Sequence, residues 1–210
     1  MESKLTTIYI VRHGETELNL SKYMQGQLDS PLTDTGILQA QNLSAKLRPI
    51  HFDAVFSSDL LRAKKTAELI TLERNLAITT SQLLREKTYG PFEGKHYQEY
   101  EAEYKKLWKE YTSLGNSSIF HFKMGKDVES DEEAASRYMQ FLREIAVSHS
   151  GKNVLVVSHG GIMKVLLIHL GYVTYEQVPP GSVGNCGYIK LEADGSDFFV
   201  QETDNIRILR

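Results

Sequence analysis

The stretch Ile8-Tyr9-Ile10-Val11-Arg12-His13-Gly14-Glu15-Thr16 decides how the chain is read. Ile8, Ile10 and Val11 form a short apolar, β-branched run, the pattern of a strand buried in a sheet. The run ends in a cation, an imidazole and a glycine. In α/β proteins ligands sit beyond the carboxyl ends of strands, and a glycine there lets the backbone turn and approach a bound group. Arg12 brings a fork of donors suited to phosphate, and His13 a nucleophile or base.

A second copy gives the tripeptide its weight. Val154 to Val157 is another β-branched run, ending in Ser158-His159-Gly160-Gly161 with a helical stretch behind it. If the two strands are neighbours in a parallel sheet, His13 and His159 meet over its edge. Ala54 to Phe56 is a further short strand, and it delivers Arg62 in the first turn of the helix that follows.

Two arginines and two histidines in one pocket repel each other unless an anion sits among them. A dianionic phosphoryl group fits, because its oxygens accept many donors at once. Helix N-termini after Gly14, Asp59 and Gly160 are expected to add backbone donors and a favourable dipole.

The remaining elements follow from periodicity. Thr33 reads as an N-cap for a helix carrying Ile37, Ala40, Leu43 and Leu47, which Pro49 ends. A helix is expected from Leu60 to about Leu72 and a strand over Leu76 to Thr80. Leu83 to Gly94 reads as irregular, broken by Gly90, Pro91 and Gly94. Tyr97 to Tyr111 reads as a charged helix. Its Tyr97, Tyr100, Tyr104, Trp108 and Tyr111 share one face, most simply a packing surface. Gly115 to Asp127 is expected to be a loop. Ser130 and Glu133 form a capping box for a helix reaching about His149, and another helix spans Ile162 to Leu170. Tyr172 to Gly184 reads as a loop. Gly187 to Leu191 and Phe198 to Glu202 read as strands joined at Ala193-Asp194-Gly195.

Strands alternate with helices through most of the chain. That predicts an α/β three-layer sandwich with a mainly parallel central sheet flanked by helices. The expected organisation is a single domain over residues 1–210, with a helical insertion at about 95–127 over the active site.

Composition excludes several classes. The chain has 210 residues, 41% hydrophobic and 24% charged, an ordinary globular profile. A net charge of -3 gives no sign of a nucleic-acid or membrane-surface partner. The single cysteine, Cys186, makes neither an internal disulfide nor a cysteine-only metal cage, and it fits a reducing compartment. Met1 to Thr7 is short and polar, and no run approaches the ~20 apolar residues that span a bilayer. A cytoplasmic protein is expected.

The ordered motifs resemble the histidine phosphatase superfamily, also called phosphoglycerate-mutase-like. Carrying the resemblance are Arg12-His13-Gly14-Glu15-Thr16 with Asn19, Gly26 through Pro31-Leu32-Thr33 with Gly36 and Gln39-Ala40, and Ser57-Ser58-Asp59-Leu60-Leu61-Arg62-Ala63 with Thr66-Ala67. Leu84-Arg85-Glu86 with Gly90 and Glu93-Gly94, and Val156-Val157-Ser158-His159-Gly160-Gly161, complete it. The resemblance implies that His13 is a nucleophile forming a phosphohistidine. Arg12, Arg62 and His159 would stabilise the transferring group, with His159 a third cation if protonated. Such a site needs neither metal nor cofactor, since side chains supply the charge that Mg²⁺ supplies elsewhere.

Glu86 is then the expected proton donor, worth about 10²–10⁴ in rate. Glu15 and Glu93 are weaker acid candidates, and Glu93 equally suits a loop-organising role. Asn19 is a candidate neutral phosphate donor, and Gln25 and Gly26 stand where relatives contact the rest of the substrate. Gly160 opens the second helix at the site. Ser58 either joins the phosphate ligands or caps a helix.

The expected activity is metal-independent hydrolysis of phosphomonoesters of small metabolites. The sequence is most similar to the broad-specificity and fructose-2,6-bisphosphatase-like branches. The alternatives are a cofactor-dependent phosphoglycerate mutase, a protein phosphatase or a catalytically silent binder of phosphorylated ligands. Dedicated mutases carry an arginine pair in the region matching 95–127. This chain has no arginine between Arg85 and Arg137, which favours hydrolysis. It has Lys95, Lys105, Lys106, Lys109, Lys123 and Lys126 instead, either for a second negative group or as a solvated face. His51, His96, His121, His149 and His169 share no ligand spacing, although His96 and His121 lie in the insertion, from which they could reach the substrate.

Overall fold

The computed structural model describes residues 4–74, 76–113 and 118–210. Met1 to Ser3 of the polar N-terminal stretch and the first part of the expected 115–127 loop lie outside them.

The strands are β1 (Thr6–Arg12), β2 (Ala54–Ser58), β3 (Ile78–Ser81), β4 (Asn153–Ser158), β5 (Val183–Ala193) and β6 (Phe198–Ile206). They form one sheet in the order β3-β2-β4-β1-β5-β6. The first four run parallel, β5 pairs antiparallel to β1, and β6 pairs antiparallel to β5. The expected mainly parallel sheet is therefore present, with a two-strand antiparallel edge.

The helices are α1 (Glu17–Leu20), α2 (Asp34–Leu47), α3 (Leu61–Thr71), α4 (Tyr97–Ser113), α5 (Asp131–Ser148) and α6 (Gly160–His169). Thr33 caps α2 through its hydroxyl, and Ser130 and Glu133 make the reciprocal capping box of α5.

Alternation along β1 explains the three layers. Ile8 and Ile10 point to one face with Val154 and Val156, under Tyr138 and Leu142 of α5 and Ile162 and Leu166 of α6. Tyr9 and Val11 point to the other with Leu155 and Val157, under Leu43 and Leu47 of α2 and Ala67 and Ile70 of α3. Each fully buried isoleucine contributes about 1.5–3 kcal/mol against exposure. A sheet covered on both faces opens to a ligand only at its strand ends.

The last two strands are longer than expected, β6 running to Ile206 beyond the expected Glu202. β5 starts at Val183, before the expected Gly187, and bulges between Val183 and Tyr188, where Cys186 has a φ of 54°. Gly184 reads as the end of a loop in the sequence because glycine is a strand-breaking type, and Gly187 reads as the strand's first residue. In the fold they permit close approach: a Cβ on Gly187 would lie 2.9 Å from the Asn205 carbonyl oxygen. Among the described residues no helix is long and apolar enough to cross a membrane.

Candidate active site

Parallel pairing of β1 with β4 sets Arg12 opposite Ser158. The next residue on each strand is a histidine, and the His13 and His159 rings lie 5.2 Å apart at 61°. α3 brings Arg62 to the same point, and the loop after β3 brings Glu86.

His13 is held as one tautomer. Its Nδ1 lies 2.7 Å from the Gly14 carbonyl oxygen, a pure acceptor, so Nδ1 carries the proton. Its Nε2 lies 3.3 Å from Nε of Arg62, a pure donor, so Nε2 presents the lone pair. Burial, then Arg62 and Arg12, hold the imidazole well below its usual pKa, and the ring is neutral. The His13 backbone is fixed from two sides. Its N–H donates to Ser158, and its carbonyl accepts from the Cys186 N–H and from Nδ2 of Asn185.

Arg62 is 1% exposed. Besides His13, it donates to the carbonyls of Gly26 and Leu28, each at 2.6 Å, and meets Asp29 at 3.3 Å. It therefore clamps the 26–29 loop to the site. Arg12 donates from Nη1 to the Val183 carbonyl at 2.6 Å, while its buried Nε has no protein partner among the described residues. A Cβ on Gly160 would lie 3.1 Å from that Nε, so the glycine makes room for the guanidinium.

His159 is fully buried, and neither ring nitrogen has a partner among the described residues. Burial, followed by Arg62, His13 and Arg12, pushes its pKa well below the usual value. In the free site His159 is therefore a neutral imidazole, and its reading as a third cation depends on a phosphate beside it.

The expected role of the helix N-termini is corrected. The N-terminus of α6 is occupied by Glu86, whose carboxylate accepts from the N–H groups of Gly161 at 2.8 Å, Ile162 at 2.9 Å and Lys87 at 2.8 Å. The N-terminus of α3 holds Asp29, which accepts from the Leu61 N–H at 3.0 Å. Side-chain carboxylates thus take the dipole-favoured positions. The short α1 is closed by its own box of Thr16 and Asn19.

Asn19, Gln25, Gly26 and Gly160 all line the cavity with Arg12, His13, Arg62 and Glu86. Asn19 accepts from the Thr16 N–H and from Asn185 through Oδ1, which leaves Nδ2 as its donor. Gln25 donates to the Thr16 hydroxyl, and its buried Oε1 is without a partner among the described residues. Ser58 is not brought to the cavity: its hydroxyl accepts from the Leu60 N–H and shapes the entry to α3. Glu15 accepts from Thr33, and Glu93 accepts from the Tyr89 N–H and the Thr88 hydroxyl, organising loops as its alternative reading had it.

The insertion differs from its simplest reading. Tyr97, Tyr100 and Tyr104 of α4 line the cavity, whereas Trp108 and Tyr111 pack on Phe122. Lys105, Lys106 and Lys123 form surface pairs with Glu101, Glu103 and Glu133. His121 pairs with Glu132, and His96 packs on Tyr23. The cavity encloses about 630 Å³. The sequence reading passed over Asn185, which donates to the His13 carbonyl and to Asn19, and Tyr89, which lines the cavity beside Glu86. No local pattern marks Asn185, because its partners His13 and Asn19 lie at the far end of the chain.

Among the described residues no group of three or more His, Cys, Asp or Glu side chains is arranged to hold a metal ion.

Comparison with known proteins agrees with this geometry. The chain is 33% identical over 81% of its length to a metal-independent phosphoserine phosphatase of Arabidopsis thaliana, covering 71% of it. It is 32% identical to a broad-specificity phosphatase of Saccharomyces cerevisiae, covering 99% of this chain and 89% of the relative. The fold superposes on a phosphoglycerate mutase from Bacillus anthracis with a TM-score of 0.84 and 29% identity, over 98% and 95% of the two chains. Residues 8–206 match the family model of the histidine phosphatase superfamily, branch 1, and the chain belongs to that superfamily.

Proposed function

We propose that the protein hydrolyses phosphomonoesters of small metabolites through a phosphohistidine on His13, without a metal ion. The observation that carries this reading is the state of His13: neutral, with Nδ1 tied to Gly14 and the Nε2 lone pair facing Arg62. A neutral imidazole presented this way is a competent nucleophile near neutral pH.

In the first half-reaction Nε2 attacks phosphorus and the bond to the alcohol oxygen breaks. Arg62 turns its Nε donor from the histidine to a phosphoryl oxygen, and the unpartnered Nε of Arg12 meets another. His159 supplies a further donor and gains a proton as the dianion settles beside it. Asn19 donates from Nδ2. Glu86 gives its proton to the leaving oxygen. In the second half-reaction Glu86 takes a proton from water, water attacks phosphorus, the P–N bond breaks and His13 returns to its neutral form. Gln25 and Gly26 meet the alcohol half, beyond the phosphate.

The hydrolytic branch is favoured over a mutase because the wall contributed by α4 is made of tyrosines and carries no cation. The names of the phosphatase relatives support the same choice. Residues 1–210 act as one catalytic domain in this reading, since the 95–127 segment walls the cavity above the sheet.

The test is phosphate release in EDTA from p-nitrophenyl phosphate, 3-phosphoglycerate, fructose 1,6- and 2,6-bisphosphate and a phosphopeptide. Release is expected without metal and lost in His13→Ala. Isomerisation of 3-phosphoglycerate in the presence of 2,3-bisphosphoglycerate, with no release, overturns the hydrolase in favour of a mutase.

A further inference from the structure

We infer that the alcohol half of the substrate carries a flat, uncharged aromatic ring, held against the tyrosine wall opposite the phosphate cradle. This rests on the phosphomonoester hydrolase reading. A cavity of about 630 Å³ is large enough for a drug-sized ligand, well beyond a phosphate and a three-carbon acid.

The wall is built for rings. Tyr97, Tyr100 and Tyr104 follow one another along a single face of α4, with successive centroids 6.1 Å apart. Tyr100 meets Tyr89 edge-on at 5.4 Å, and Tyr104 meets Phe122 edge-on at 5.5 Å. Such a ladder offers faces and edges to a further ring at the offset and T-shaped geometries that aromatic pairs prefer. The phenols stay neutral, since burial pushes all three up and Tyr104 to about 12.

Most nearby charges are already matched, and Lys22, which lines the cavity beside Tyr97 without an ion pair among the described residues, is exposed to solvent. Lys87 pairs with Asp131, and Arg137 with Glu129. Lys164 sets its ammonium over the Tyr175 ring, 5.7 Å from its centre. A polyanionic substrate calls for cations converging on its second charge; this wall offers rings.

The test compares kcat/KM for benzyl phosphate, cyclohexylmethyl phosphate, methyl phosphate and 3-phosphoglycerate. The alcohol halves of the first three esters are uncharged and of similar basicity, so the comparison reads the shape and flatness of the group and not its reactivity. Benzyl phosphate is expected to exceed methyl phosphate by about 30-fold and to exceed its saturated counterpart. Tyr104→Leu should lower the benzyl-to-methyl ratio about tenfold, while Tyr104→Phe keeps it.

Equal values for the benzyl and methyl esters, or a preference for 3-phosphoglycerate, overturn the aromatic subsite and leave the hydrolase standing. If no ester is cleaved, the hydrolase reading fails, and binding decides the subsite. Benzylphosphonate binding about tenfold tighter than methylphosphonate supports it; equal binding overturns it.

Discussion

The Nε–H of Arg62 faces Nε2 of His13 across 3.3 Å, while the other nitrogen of that ring is tied to the Gly14 carbonyl at 2.7 Å. One arginine and one carbonyl thus set which nitrogen is free to react. The phosphoryl group is expected on Nε2. Enzyme quenched and digested at alkaline pH, where the P–N bond survives, and examined by phosphorus NMR or mass spectrometry, should contain the Nε2-phosphohistidine isomer at His13. The Nδ1 isomer would sink the assignment. His13→Ala should lose about 10⁴-fold or more in kcat and give no labelled intermediate.

Arg62 holds the loop as well as the phosphate. Lysine carries a single nitrogen and cannot serve the Gly26 and Leu28 carbonyls together while facing His13. Arg62→Lys is expected to lower kcat/KM by about 10²–10³. Losing a buried partner should also cost about 1–3 kcal/mol in urea unfolding. Asp29, the exposed end of the same cluster, should matter less, and Asp29→Asn should change stability by under about 1 kcal/mol. Equal losses in both variants would contradict the clamp.

What could be read in advance was whatever repeats locally. β1 and β4 each show a β-branched run ending in His-Gly, so the meeting of His13 with His159 followed from parallel pairing alone. Four features were hidden because their partners are distant or their pattern is shared. Glu86 reaches the N-terminus of α6 across 75 residues, and Asn185 reaches His13 across 172. An amphipathic stripe such as Tyr97-Tyr100-Tyr104 has the same spacing whether it faces a core or a cavity. The charge state of His159 depends on its burial among Arg62, His13 and Arg12, which is a property of the assembled site.

That burial makes the protein acid-sensitive. His13 and His159 both have folded pKa values well below the unfolded value of about 6.5. Below that pH the unfolded chain binds protons that the folded chain refuses, so stability rises with pH across the window. It levels off, as far as these two groups are concerned, above pH ~7. The slope from each histidine is at most about 1.4 kcal/mol per pH unit. Urea unfolding between pH 5 and 8 should show a shallower acid limb in His13→Gln and His159→Gln than in the parent. Inorganic phosphate should flatten the parent's limb by favouring the protonated imidazoles. Unchanged slopes in both variants would rule the histidines out as the cause.

Glu86 offers the most selective perturbation of the site. Oε1 accepts from Lys87 and Ile162, and Oε2 accepts from Gly161, so Glu86→Gln would set an NH₂ group against at least one backbone N–H. Loss of activity in that variant mixes proton donation with a lost hydrogen bond of about 1–3 kcal/mol. Gly161→Ala separates the two. A Cβ there would lie 2.6 Å from Oε1 of Glu86 and 2.8 Å from the Tyr89 hydroxyl, so the carboxylate must move while keeping its chemistry. Alanine is the better helix former, and the position lies in the first turn of α6, so the fold should survive. The expected outcome is a kcat reduced about 10²-fold for alkyl phosphates, which need a proton on the departing oxygen. p-Nitrophenyl phosphate, whose leaving group departs as a stable anion, should lose far less. A uniform loss across both substrates would show that Glu86 serves the architecture of α6 and that the proton comes from elsewhere.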